Sequence, residues 1–177
     1  LENIIEAGTT KGKLYNIIPF FYLNGHIIKA SHTHGKDAIT IDEYMALEQK
    51  YNCSGTSMWY VTKEMVIKDA LSYNTSDYLD VKTGKCNFDS EDFKKVLEFA
   101  NEFCTTQDEM NTLYADVDYL NAYASNRMLM LDYGMGSFRE IYRQEQSLFG
   151  EDTKYFVFPD LTGESKPVIK PNFSVAI

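Results

Sequence analysis

Helical and extended periodicities alternate along this sequence, and that alternation restricts it to an α/β or α+β class. Residues 14–18 and 20–28 are rich in β-branched and aromatic side chains and read as two extended segments separated by Pro19. Thr40-Ile41-Asp42-Glu43 has the form of a capping box. The Thr40 hydroxyl can accept from the third amide of a helix while Glu43 reaches back to the Thr40 amide. Ile41, Tyr44, Leu47 and Tyr51 continue that helix as one stripe. Thr62 can cap a second helix, running to about Tyr73. Residues 80–87 carry Thr83-Gly84-Lys85, a turn between two short strands. Asp89 or Ser90 caps a third helix, with Phe93, Val96, Leu97, Ala100, Phe103 and Cys104 at helical period.

The second half repeats the pattern. Residues 105–111 read as polar linker and 118–125 as a helix leading into a strand at 128–133. Gly134-Met135-Gly136-Ser137 is a glycine turn out of that strand. Residues 138–149 form the next helix, closed by Gly150. Residues 155–158 read as a strand ending at Pro159, and 168–177 as extended chain. The chain opens inside a helix at 1–7 and ends inside a strand, so both ends read as cut from a longer protein.

Charge excludes several functions. The formal net charge is −9, and no basic run offsets it. Nucleic acids and anionic membrane surfaces both require clustered Lys and Arg, so neither is an expected partner. No apolar stretch approaches the roughly 20 residues of a transmembrane helix. Cys53, Cys86 and Cys104 form no C-x-x-C unit. One intramolecular pair can form, but three free thiols is the simpler reading. The 13 Tyr, 11 Phe and 1 Trp pair apolar faces with polar tips, which suits sugar-like ligands. Any one of them can equally be plain packing.

The remaining motifs carry little chemistry. His32-Thr33-His34 lacks further ligands at metal spacing and sits in a polar loop, so a solvated loop is the expectation. There is no G-x-S-x-G elbow, and no His lies near a Cys in sequence. Glu91, Asp92, Glu98 and Glu102 read as the wet side of a helix. Three N-x-S/T sequons, at Asn52, Asn74 and Asn172, are too short a pattern to assign a role. The Gly134–Ser137 turn is more informative: a strand, a glycine turn and a helix leave free amides that can hold a hydroxyl, carboxylate or phosphate. A tight connection capped by Ser137 is the simpler alternative.

The order of motifs resembles family 1 of the extracellular solute-binding proteins. Gly12-Lys13-Leu14-Tyr15-Asn16-Ile17-Ile18-Pro19 is similar to that family's GKLYGIP run. Thr40-Ile41-Asp42-Glu43-Tyr44 resembles its TWDEF helix start, with Ile41 in place of Trp. Residues 80–93, DVKTGKCNFDSEDF, resemble a D-x-x-TG-x-C-x-FDS-x-x-F segment, extended by KVLEFANEF at 95–103. Phe158-Pro159-Asp160-Leu161-Thr162-Gly163 and the closing PNFSVAI at 171–177 are similar to its returning segment.

The resemblance implies a periplasmic-binding-protein-like (type II) fold, mainly one lobe with hinge-crossing strands. Residues 1–30 would end the N-terminal lobe and make the first crossing. Residues 31–150 would form the C-terminal lobe, and 151–177 would return towards the hinge. It implies a non-enzymatic substrate-binding component of an ABC importer, extracellular and monomeric, with no cofactor. A lipid anchor would lie upstream of this chain. The ligand would be a small solute, typically a carbohydrate, and the membrane partner an ABC permease. The ligand-binding residues it points to are Phe21, Trp59, Tyr133, Gly136, Ser137 and Asn172, although Trp59 can also be a packing anchor. Asn24-Gly25 suggests that the first crossing ends in a turn. Two rival readings are a glycoside hydrolase fragment, which needs two convergent carboxylates, and a ligand-free interaction module, which needs a large apolar patch.

Overall fold

The computed structural model describes residues 2–135, 137–164 and 168–176. Its organising element is one long strand, β3 (Asn16–Lys29). The earlier elements are a short helix α1 (Glu2–Ala7) and the small hairpin β1 (Thr9–Thr10) and β2 (Lys13–Leu14). The strand β6 (Met130–Met135) pairs antiparallel with β3 from Leu23 to Ile28. On the other edge, β7 (Thr153–Phe156) pairs with His26 to Lys29 and β8 (Val168–Ala176) with Asn16 to Asn24.

Strand alternation sends consecutive β3 residues to opposite faces. Ile28 enters a core built with α2 (Ile41–Tyr51), α3 (Lys63–Tyr78) and α4 (Glu91–Asn101). Ile27 enters a second core built with α5 (Gln107–Leu113), α6 (Tyr119–Ala124) and the turn Glu145–Phe149, a π-helical continuation of α7 (Phe138–Gln144). The sheet is thus the middle of three layers. The expected helix starts are present: Thr40 and Glu43 close a capping box, and Thr62 and Ser90 cap α3 and α4. Asp80 holds the turn between β4 (Leu79–Asp80) and β5 (Lys85–Cys86) by accepting from the Lys82 and Thr83 amides at 2.9 and 3.3 Å.

Several sequence expectations need correction. Pro19 does not break the extended chain into separate strands. It lies inside β3, where the register with β8 shifts between Ile17 and Phe20; a residue without an N–H is tolerated in a strand at such an irregularity. Asn24-Gly25 is not a turn. Asn24 pairs with Gly134 and Gly25 with Tyr133, so the strand read at 128–133 lies at Met130–Met135 and Gly134 and Met135 belong to it rather than to a turn out of it. Glycine is required there because a Cβ on Gly25 would sit 2.5 Å from the Phe156 carbonyl oxygen and 2.7 Å from the Tyr155 hydroxyl. Residues 105–111 are not all linker: Thr106 and Glu109 form a second capping box and start α5. The second helix continues past Tyr73 to Tyr78, with a kink at Asn74 (φ −124°, ψ 28°). The strand read at 155–158 is two residues early, at Thr153–Phe156, although Val157 and Phe158 stay buried. The three cysteines are free thiols, as the sequence reading favoured.

Among the described residues, β3 pairs between Asn16 and Tyr22 with β8 alone, so the two leave the body as a ribbon. Ile17, Phe20, Phe173 and Val175 are each about half exposed on it or more (49, 61, 48 and 50%). The Phe20 and Phe173 rings meet at 5.5 Å. An apolar patch of this kind marks an interface. The isolated chain is therefore expected to self-associate through it. Phe20→Ser combined with Phe173→Ser should lower the apparent mass in light scattering, with a stability change of about 1 kcal/mol or less. Association unchanged by the double substitution would show that the ribbon is not the sticky surface.

Candidate functional site

Three groups of the sequence-selected residues separate in space. The first surrounds Trp59. Met58 pairs with Met130 at the start of β6 and accepts from the Tyr114 hydroxyl at 2.7 Å, which fixes the root of the segment that carries Trp59. The Trp59 ring lies 5.1 Å from Tyr60, 5.0 Å from Tyr114 and 4.8 Å from Tyr119. Tyr60 stacks on Tyr114 at 5.2 Å, and Tyr119 continues through Tyr123 to Phe149. Tyr114 and Tyr123 are buried, whereas Trp59, Tyr60 and Tyr119 are only half-buried. The result is an aromatic ledge with a packed back and an accessible front. Tyr60 adopts φ 56°, a conformation a bulky side chain holds only when its surroundings impose it. Here the Tyr114 stack and a 3.3 Å bond from the Tyr60 hydroxyl to Asn111 impose it. Burial raises the Tyr114 and Tyr119 phenols, so both remain neutral at pH 7.

The second group is the corner between β6 and α7. Ser137 Oγ accepts from the Glu140 amide at 3.4 Å and so caps α7. An open pocket of about 300 Å³ is lined by Tyr133, Gly134, Glu140 and Arg143. It offers a phenol, a carboxylate and a guanidinium, enough to read hydroxyl groups by donating and accepting. Burial, with help from Glu140, raises the Tyr133 phenol. Gly136 lies outside the described residues.

The third group is on the ribbon. Phe21 pairs with Pro171, and Asn172 follows it on the exposed strand. Strand alternation puts Phe21, Leu23 and Gly25 on one face, and Gly25 pairs with Tyr133. Phe21, Tyr133 and the aromatic ledge thus share one side of the sheet. Tyr60, Tyr119, Glu140 and Arg143 were missed by sequence reading. The signal for the last two was available, since they lie three and six residues after the Ser137 cap and so repeat along one side of the helix.

The other side of the sheet carries a different set. His26 is buried, and burial together with Lys170 pushes it down to about 3. Burial and Asp132 push the Asp69 carboxyl up to about 6. Asp132 pairs with His26, so this carboxylate pair faces away from the ledge, and the β6–α7 pocket holds one carboxylate, Glu140. The segment His32-Thr33-His34 is not the solvated loop expected: His32 and Thr33 are buried, His32 shares a 3.1 Å contact with Asn126, and only His34 is exposed. Among the described residues no group of three or more His, Cys, Asp or Glu is placed to hold a metal. Ile41 is buried in the first core.

No protein-family model matches the chain, and no curated protein matches it. Solved structures do. An ABC transporter solute-binding protein from Thermotoga lettingae, bound with α-D-tagatose, is 17% identical over 96% of this chain and 47% of its own, with a TM-score of 0.52. An ABC substrate-binding protein from Listeria monocytogenes, in complex with cycloalternan, is 11% identical over 96% and 45%, with a TM-score of 0.54. An extracellular solute-binding protein of family 1 from Alicyclobacillus acidocaldarius is 12% identical over 98% and 46%, with a TM-score of 0.50. These neighbours are binding proteins, and the chain spans less than half the length of each. The chain has the mixed helix-and-sheet fold of somewhat under half of an ABC-transporter solute-binding protein.

Proposed function

We propose that this chain is most of the C-terminal lobe of a non-enzymatic, extracellular substrate-binding component of an ABC importer, and that its ligand is a carbohydrate. Residues 31–150 form the lobe, 1–30 make the first crossing, and 151–177 return towards the hinge. The observation that carries the reading is the half-buried ledge of Trp59, Tyr60 and Tyr119, on the same side of the sheet as the polar β6–α7 corner. Apolar sugar faces stack on such rings while a few placed polar groups read the hydroxyls. Trp59 supplies stacking, and Tyr133 and Ser137 supply hydrogen bonds. Phe21 and Asn172 lie at the hinge, where the second lobe closes over the ligand. The whole protein is then a lipid-anchored monomer that delivers its ligand to a membrane permease.

The exposed ribbon supports this reading over an interaction module. Its apolar side chains would be covered by the other half of a longer polypeptide. The test is a thermal-shift screen of the full-length protein with mono- and oligosaccharides. A bound sugar should stabilise it by about 2–4 kcal/mol at saturation, and Trp59→Ala should weaken that sugar's binding by roughly 10-fold or more. No shift with any carbohydrate would remove the sugar assignment. A shift that Trp59→Ala leaves unchanged would move the site away from the ledge.

A further inference from the structure

The buried carboxyl of Glu48 lies outside the site described above, yet it touches the loop that sets Trp59. Glu48, on α2, is completely buried, as is Ser57. The Ser57 hydroxyl donates to Glu48 Oε1 and accepts from the Tyr44 hydroxyl at 2.8 Å. The Ser57 carbonyl accepts from the Leu129 and Met130 amides at 2.7 and 3.2 Å, at the entry to β6. The Cys53 amide donates to the Glu48 carbonyl at 2.9 Å. Glu48 thus ties the loop 52–58 to α2 at both ends, at Cys53 and at Ser57, beside the bond from Tyr44 to Ser57. Its second oxygen, Oε2, is buried with no partner at good hydrogen-bond geometry, and the Gly55 amide and the Glu102 carboxyl lie against the same carboxyl.

We propose that Glu48 is a protonation-controlled latch on the loop 52–58, closed while the carboxyl is neutral and loosened when it ionises, so that the setting of Trp59 depends on pH. A neutral carboxyl fits a fully buried site that holds a second carboxyl, Glu102, and no cation. A carboxylate there would have to draw in water or move, because an isolated buried charge is strongly disfavoured. The groups facing Glu48 supply no cation. They are Tyr44 on α2, Cys53 in the loop and Glu102 at the end of α4, with Tyr123 behind Tyr44; the Ser57 hydroxyl and the Gly55 amide favour the carboxylate, but burial and Glu102 outweigh them. Burial, reinforced by Glu102, pushes Glu48 up to about 8. Burial also holds Cys53 up at about 12 and Tyr44 well above the usual phenol range, so Glu48 is the member of this set that changes charge near neutral pH.

The sign follows from linkage. An acid whose folded value lies above its unfolded value binds more protons when folded. The stability it contributes is therefore full below about pH 4.5 and declines as pH rises to about 8. The sequence has a single Trp, at position 59, so tryptophan emission reports on this loop directly, without any ligand. Emission of the chain titrated from pH 6 to 9 should change with a midpoint near 8, and the melting temperature should fall over the same span. Glu48→Gln, which keeps the hydrogen bonds and cannot ionise, should flatten the emission curve and melt higher than the parent at pH 9. Glu102→Gln should move the midpoint to lower pH, which decides the matter if Glu48→Gln fails to fold. A flat emission curve in the parent, or an unchanged transition in Glu48→Gln, would overturn the latch. Neither result depends on whether the ledge binds sugar.

Discussion

Phe99→Ala is expected to destabilise the chain by about 3–5 kcal/mol, the range for removing a fully buried aromatic ring. Phe99 has no exposed surface. Its ring meets Tyr44 of α2 at 5.7 Å, Phe103 at 5.4 Å and Phe158 at 6.2 Å. The first two contacts are edge-on, which adds quadrupole attraction to the burial. Removing the ring therefore opens a cavity where α2, α4 and the segment after β7 converge, and side chains from three directions would have to collapse to fill it. Leu97→Ala on the same helix is the control. Leu97 is 41% exposed, so its loss should amount to about 1 kcal/mol or less. Urea denaturation of the two variants measures the difference. Equal midpoints would mean that α4 does not pack through Phe99.

That contrast also marks how far periodicity can be read. The sequence announces α4 through Ser90 and a repeat near 3.6 residues, and both are present. The side of the helix that faces inward is less legible. Leu97 belongs to the apolar stripe yet lines an open groove with Lys63 and Ile67 of α3, while Phe99, outside the stripe as read, is central. An apolar arc wide enough to hold six side chains can turn by one residue and still look amphipathic. Only the position of the neighbouring helices fixes its phase. α5 was illegible for another reason: it is seven residues long and buries one apolar side chain, Met110, so it has almost no stripe. Its Thr106–Glu109 box was the readable signal.

The strands misled where local rules met long-range packing. Pro19 and Asn24-Gly25 both signal breaks by local chemistry. Both are carried inside β3, because β6, β7 and β8 supply pairing along its length and Tyr155 fills the space that a Cβ on Gly25 would need. The candidate site divides in the same way. Trp59, Tyr133 and Ser137 could be selected because rare or cap-forming residues near glycines stand out locally. Tyr60, Tyr119 and Arg143 join them through tertiary geometry that no spacing encodes.

Gly55→Ala should be damaging out of proportion to its single added methyl, by about 2–5 kcal/mol. Gly55 has φ +71°, where an alanine is unfavourable by about 1–2 kcal/mol. A Cβ there would also lie 2.2 Å from the Glu102 carbonyl oxygen. That oxygen belongs to the backbone at the end of α4, so no rotamer change relieves the contact, and overpacking of this kind costs about 1–3 kcal/mol more. Gly84→Ala separates the two effects, since Gly84 has φ +72° with nothing within 4 Å of its Cβ position. It should show the conformational effect alone. The excess at Gly55 then measures how tightly the loop 52–58 is pressed against α4. Relief by backing the loop away would lift Ser57 from Glu48 and Tyr44 and carry Trp59 with it. Gly55→Ala should accordingly shift tryptophan emission at pH 6, where Gly84→Ala should not. Equal losses from the two glycines, with emission unchanged in both, would mean that the loop is not clamped by α4 and that Trp59 is positioned from the side of Tyr114 alone.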